Sequence, residues 1–115
     1  MKFQLLIACI LFCAPAIATA QYLGPGATPE VTTVSAANNA ADDTPATLEG
    51  KLTRKLSHDE YEFTDATGSM RVEIDDDVLS LGRAIDASTK LRLIGEVDKG
   101  MIAVEIDVKR VEILE

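Results

Sequence analysis

A small all-β barrel is the fold this sequence predicts for residues 44–115. Three observations carry it. From Ala46 onward the apolar residues recur with a period of two and keep that period over five segments. Polar or glycine-bearing turns separate the segments. The chain has only 115 residues, and its first 20 read as a separate export segment, so no second ordinary domain fits.

The elements follow in order. Residues 1–20 hold 16 apolar residues and both cysteines. Lys2 supplies a positive start, an apolar run extends from Leu5 to Ala18, and Ala18-Thr19-Ala20 is an A-x-A cleavage site. The run is shorter than a membrane span needs, and Pro15 interrupts it. Leu6-Ile7-Ala8-Cys9 resembles a lipoprotein box, but a cut before Cys9 would leave almost no hydrophobic run ahead of it. The expectation is a signal peptide cleaved after Ala20 and a mature protein in the periplasm, not integral to the membrane. The mature part carries 10 Lys and Arg against 19 Asp and Glu, a net charge of −9, and no cysteine. A disulfide framework and a cysteine metal site are therefore excluded from it.

Residues 21–43 read as a flexible leader with a short helix. Gly24-Pro25-Gly26 and Pro29 prevent regular structure in its first part. Thr33 is a suitable N-cap for a helix over 34–41 built on Ala36, Ala37, Ala40 and Ala41. Asn38 and Asn39 weaken that helix, and Asp43-Thr44-Pro45 ends it.

Strand one alternates Leu48, Gly50 and Leu52 with Glu49, Lys51 and Thr53. Ser57-His58-Asp59 turns the chain into strand two, where Tyr61 and Phe63 point inward. Asp65-Ala66-Thr67-Gly68 is a tight turn, followed by strand three with Met70, Val72 and Ile74 inward. Residues 76–89 break the alternation, and Val78, Leu79, Leu81, Ala84 and Ile85 predict a helical connector across one end of the sheet. Strand four holds Leu91, Leu93 and Val97 around Gly95; strand five holds Ile102, Val104, Ile106 and Val108. The phase slips at Lys109-Arg110 before Val111 and Ile113, which predicts a bulge or bend. Mid-strand Gly50 and Gly95 suit the tight coiling of a small barrel. Three strands, a long connector and two strands make a five-stranded Greek-key OB-fold barrel, favoured over an open meander or SH3-like barrel.

The ordered set Leu23-Gly24-Pro25-Gly26, Thr33-Val34, Asp42-Asp43-Thr44-Pro45, Leu48-Glu49-Gly50, Tyr61-Glu62-Phe63-Thr64-Asp65-Ala66-Thr67-Gly68, Val72-Glu73-Ile74-Asp75, Gly95-Glu96-Val97-Asp98-Lys99 and Glu105-Ile106-Asp107-Val108 resembles the bacterial OB-fold (BOF) family, the YgiW/YdeI-type periplasmic stress-tolerance proteins. The resemblance spans about three-quarters of the chain, by the same ordered reading of motifs. It implies a non-catalytic periplasmic OB-fold protein that supports survival under peroxide, acid, metal or cationic-peptide stress. It also implies a small envelope ligand, such as a cell-wall saccharide, a cation or a cationic peptide. The alternative it leaves is a structural or regulatory module that docks on a membrane or envelope protein. Relatives commonly carry tryptophans at three places that here read Pro45, Val78-Leu79 and Gly100-Met101, which removes stacking at those points.

OB barrels bind on strands two and three, flanked by the 1–2 and 4–5 loops. The candidate ligand-binding residues are therefore Lys55, His58, Glu62, Arg71, Glu73, Asp75, Asp98 and Lys99. Nucleic acid is not expected, because this face is acidic and its aromatics point inward. Asp75-Asp76-Asp77 fails the EF-hand pattern: Leu79 occupies a ligand position, and Ser80 stands where the glycine should be. No metal or cofactor is assigned on sequence. Ser57-His58-Asp59 is not a triad, since adjacent residues do not point at one another in space. Glu62 and Glu73 are expected to face each other across strands two and three with Arg71 in a cross-strand ion pair, a surface arrangement without a catalytic role.

Overall fold

The structure, a computed structural model, describes Pro25 and residues 30–114. The expected signal peptide and cleavage site, and the leader's Gly24 and Pro29, lie outside the described residues. The first element is α1 (Val34–Asn38). Thr33 is its N-cap, as the sequence predicts, and its hydroxyl accepts from the Ala36 N–H at 3.1 Å. A second acceptor comes from across the fold: Asp65 Oδ2 takes the Val34 N–H at 2.9 Å. The helix stops at Asn38 rather than continuing to residue 41. Asp42 and Asp43 are drawn away to the end of a strand, where Asp42 Oδ1 accepts from the Lys99 N–H and the Asp43 N–H donates to the Val97 carbonyl. Asp43 takes a left-handed φ of 67°, which an aspartate tolerates but a helix does not.

Five strands follow: β1 (Pro45–Lys55), β2 (Glu60–Asp65), β3 (Gly68–Glu73), β4 (Leu91–Lys99) and β5 (Val104–Ile113). They form one sheet in the order β1-β2-β3-β5-β4, and the pairing of β4 with β1 closes it into a barrel. β3 and β5 pair in parallel; the other pairs are antiparallel. The alternating inward residues Leu48, Phe63, Val72, Leu93, Val97 and Ile106 are all buried and form the core. Val34 and Ala37 of α1 join it from one end. Glu30 and Val31, within the expected leader, are tied to β1: Val31 bridges Ala46 in parallel, and Glu30 accepts from the Thr47 hydroxyl.

Two close approaches explain the mid-strand glycines. A Cβ on Gly50 would lie 2.3 Å from the Thr64 carbonyl oxygen, and one on Gly95 would lie 2.1 Å from that of Asp107. Gly50 marks the point where β1 changes partner, pairing with β4 up to Gly50 and with β2 from Lys51. Gly95 sits at a β-bulge against β5, where Ile94 faces Arg110 and Gly95 faces Val108. The extra residue is Lys109, at the phase slip seen in the sequence.

Two expectations are corrected. The connector between β3 and β4 is not helical. A single turn forms, with the Val78 and Leu79 N–H groups both donating to the Asp75 carbonyl. It does not propagate: Gly82 adopts φ 78°, and Asp86 closes a separate turn by accepting from Ser88 and Thr89. One turn fixes several dihedrals for little return, so a helix that cannot extend does not persist. Val78, Leu79, Leu81 and Ile85 still pack on the core, from irregular backbone. Ile102 is not in β5; it stands fully exposed with Met101 at the β4–β5 tip. Strand pairing ends at Lys99↔Val104, and Gly100 closes the loop by donating to the Ala103 carbonyl.

Candidate functional site

With Tyr61, Phe63, Val72 and Ile106 turned inward, the residues between them line the outer face of β2, β3, β5 and β4. The registers assemble these residues into two rows. Glu60 faces Glu73, Glu73 faces Asp107, and Asp107 faces Glu96. In the next row Glu62 faces Arg71, Arg71 faces Glu105, and Glu105 faces Asp98. The first row is thus four carboxylates across four strands, and the second is three carboxylates around one guanidinium. Glu62 and Glu73 do not face each other, contrary to the sequence expectation, because the tight β2–β3 turn sets the register two residues off that pairing. Arg71 does make a cross-strand ion pair, with Glu60 at 2.9 Å.

At one edge of this face the strand ends bring in Asp59 and Asp75, held together by the Ile74 N–H donating to the Asp59 carbonyl at 2.8 Å. Carboxylate oxygens of Asp59, Glu73 and Asp75 lie within 4.8 Å of one another. Asp59 and Glu73 are half-buried, and Asp75 is exposed. The crowding bears on the acidity of the group. Burial, followed by the charges of Asp59, Asp107, Glu105 and Asp75, pushes the Glu73 carboxyl above its ordinary value. Burial, then Glu60 and Asp98, does the same to Glu105, with Arg71 opposing. Lys109 answers part of the charge, donating to Asp107 Oδ2 at 2.9 Å.

The structure brings Glu62, Arg71, Glu73, Asp75 and Asp98 onto this face. It does not bring the other candidates there. Lys55 folds over the Tyr61 ring, its Nζ 4.8 Å from the centroid, and donates to Tyr61 Oη and to the His58 carbonyl, each at 3.1 Å. His58 is exposed in the β1–β2 turn with its Nε2 3.4 Å from Asp76. Lys99 ends β4 opposite Val104. Sequence reasoning missed Glu96, Glu105 and Asp107. The alternation of Glu105 and Asp107 with buried Ile106 and Val108 was legible. What was missing was the parallel β3–β5 pairing that sets them beside Arg71 and Glu73.

The family model described as "Bacterial OB fold (BOF) protein" matches residues 12–113. The calcium-regulated OB-fold protein CarO of Pseudomonas aeruginosa is 49% identical over 109 residues, covering 95% of this chain and 93% of that protein. Protein YgiW of Escherichia coli K12 is 37% identical over 124 residues, covering 96% of this chain and 95% of its own. The solved structure of the E. coli protein superposes with a TM-score of 0.69 at 36% identity, over 84% of this chain and all of that one.

Proposed function

Because the chain belongs to the bacterial OB-fold (BOF) protein family, we propose that it is a non-catalytic binding module of the cell envelope whose acidic face takes a cationic ligand, calcium first among them. One observation carries the reading: the carboxylates of Asp59, Glu73 and Asp75 converge to within 4.8 Å. Calcium–oxygen bonds of about 2.3–2.6 Å set opposite ligands roughly 5 Å apart, so the cluster has the right size. Burial, and after it the charges of Asp59, Asp107, Glu105 and Asp75, raise the Glu73 carboxyl, and a bound cation would offset the repulsive part. The relative described as calcium-regulated makes calcium the ion to test before others. The export pattern of residues 1–20 supports a periplasmic site of action, and the family resemblance supports a part in stress tolerance. Nucleic acid is disfavoured by the same charge, since a phosphate backbone would meet two acidic rows. Among the described residues no helix is long and apolar enough to cross a membrane.

The test is calorimetric titration with calcium, against sodium at matched ionic strength. Wild type should bind with a Kd of about 0.1–1 mM, the range of extracellular calcium modules. The paired substitution Asp59→Asn with Glu73→Gln should weaken it at least tenfold. Equal heats from sodium, or an unaffected double variant, would refute calcium binding at this cluster. A cationic peptide and a muropeptide, titrated in the same way, rank the other envelope ligands. A deletion strain carrying either version, challenged with peroxide, acid, cadmium and polymyxin, tests the link to stress.

A further inference from the structure

β1 leaves one edge open. Its first half pairs with β4 as far as Gly50, and its second half, from Lys51 to Lys55, pairs with β2 alone. Among the described residues no strand lies against the other edge of that second half. The connector passes nearby without pairing, and a groove of about 260 Å³ separates the two. Leu52, Arg54, Lys55 and Tyr61 line it from the barrel, Ile85 and Asp86 from the connector. An unpaired strand edge offers backbone donors and acceptors to an incoming strand.

The charge of this edge is opposite to that of the molecule. Lys51, Arg54 and Lys55 lie within five residues of a chain that carries a net −8. Arg54 is 67% exposed and meets Glu62 only loosely, at 3.8 Å. The Lys55 ammonium, which would otherwise guard the edge, is turned onto Tyr61. Asp86 is the one acid in the wall, and its carboxylate is taken up by Ser88 and Thr89 of its own turn.

We propose that the Lys51–Lys55 edge and its groove dock an extended acidic segment of a partner protein, added as a further strand beside β1. The acidic side chains would meet Lys51 and Arg54, with Lys55 adding its charge from over the Tyr61 ring, and an apolar side chain would rest on Leu52 and Ile85. A second copy of this chain is the wrong occupant, because edge-to-edge pairing would set these cations against their own kind. A small anion is also the wrong occupant. The open edge runs about 17 Å at 3.3 Å per residue, and its unpaired groups call for a main chain. The surface shares no residue with the carboxylate cluster and does not depend on the calcium reading.

The test is an NMR titration of the isotope-labelled protein with a short capped peptide of alternating glutamate and valine. It is run with a chelator present, so calcium plays no part. Shifts confined to the amides of residues 51–55 and 85–87, with slowed exchange at the former, are expected. The lysine–valine peptide should bind at least tenfold more weakly, as should the glutamate peptide to the Arg54→Glu, Lys55→Glu double variant. A glutamate–valine peptide N-methylated at alternate residues keeps its charge but cannot form a ladder, and it should lose binding. Equal binding of the N-methylated peptide would overturn strand addition. Equal binding of the lysine peptide, or no shift at 51–55 at millimolar peptide, would overturn the site.

Discussion

Replacing Glu73 by glutamine should make the calcium-free protein more stable. Glu73 faces Glu60 on one side and Asp107 on the other, and it shares the cluster with Asp59 and Asp75. Like charges directly opposite in a sheet cost about 0.2–1 kcal/mol each. Arg71 and Lys109 offset part of this through Glu60 and Asp107. A net gain of about 0.5–1.5 kcal/mol remains for Glu73→Gln at neutral pH and low ionic strength, which for a domain of this size is roughly 2–12 °C in Tm. Screening supplies the control. The Debye length falls to about 3 Å at 1 M salt, shorter than the spacing between strands, so most of the gain should vanish there. Urea unfolding followed by circular dichroism, at low and high salt, reads both numbers. A variant that is no more stable than wild type at low salt, or whose gain ignores salt, would refute the argument that the acidic rows are held against their own repulsion. Millimolar calcium should raise the stability of wild type and leave the variant nearly unchanged.

Other outcomes follow from the same geometry. The raised carboxyls of Glu73 and Glu105 contribute stability that is complete below their ordinary value of 4.5 and is lost as pH rises through their folded values. For Asp65 burial acts upward, but hydrogen bonds from Thr67, Val34 and Gly68 outweigh it and hold the carboxyl below 3.8, so its contribution is lost only as pH falls through that lowered value. Without calcium, stability measured across pH should therefore peak near pH 4–5 rather than at neutrality. Asp65→Ala should cost about 1–2 kcal/mol in urea unfolding, chiefly because it strands the part-buried Val34 N–H, whereas water can take over the exposed Thr67 N–H. Gly50→Ala should cost more than about 3 kcal/mol, since relieving a 2.3 Å overlap with the Thr64 carbonyl forces β1 away from β2. Gly82→Ala, where nothing lies within 4 Å and only the positive φ is at stake, should cost about 1 kcal/mol. Ile102→Ser should leave stability within about 0.5 kcal/mol, whereas an inward strand residue at that position would cost several times more.

What the sequence disclosed, and what it withheld, divides along a physical line. Period-two alternation is local, so it located every strand, put Tyr61 and Phe63 inside, and marked the bulge at Lys109. Gly50 and Gly95 were legible for the same reason, because a missing side chain in mid-strand reports a close neighbour without naming it. The helical connector failed because apolar spacing alone does not show whether a helix can extend, and Gly82 and the Asp86 turn stop it. Ile102 failed because alternation persists for a residue or two past the point where pairing ends. The acidic face was half found. Strands two and three are joined by a hairpin whose turn fixes their register, whereas β5 reaches β3 only through barrel closure, a contact between residues more than thirty positions apart.

That division also separates the two surfaces argued for above. The cluster of Asp59, Glu73 and Asp75 sits where two strand ends meet, and the long-range pairing of β3 with β5 adds Asp107 and Glu105 to its charge. The open edge of β1 comes from the opposite circumstance, a strand that loses a neighbour. Both trace to small geometric necessities of a five-stranded barrel. Closing so few strands requires β1 to leave β4 for β2, and Gly50 is where the backbone allows it. Among the described residues no strand pairs with that edge after Gly50, and the sequence places Lys51, Arg54 and Lys55 there while concentrating acid on the outer face of the other four strands. Under the two proposals, a barrel with its charges so divided would hold a cation by carboxylates on one surface and present a cationic backbone edge on another, so one partner could be bound without displacing the other. Calcium affinity should accordingly be the same with and without the glutamate–valine peptide, and a shift of more than about twofold in either direction would show that the two surfaces are coupled.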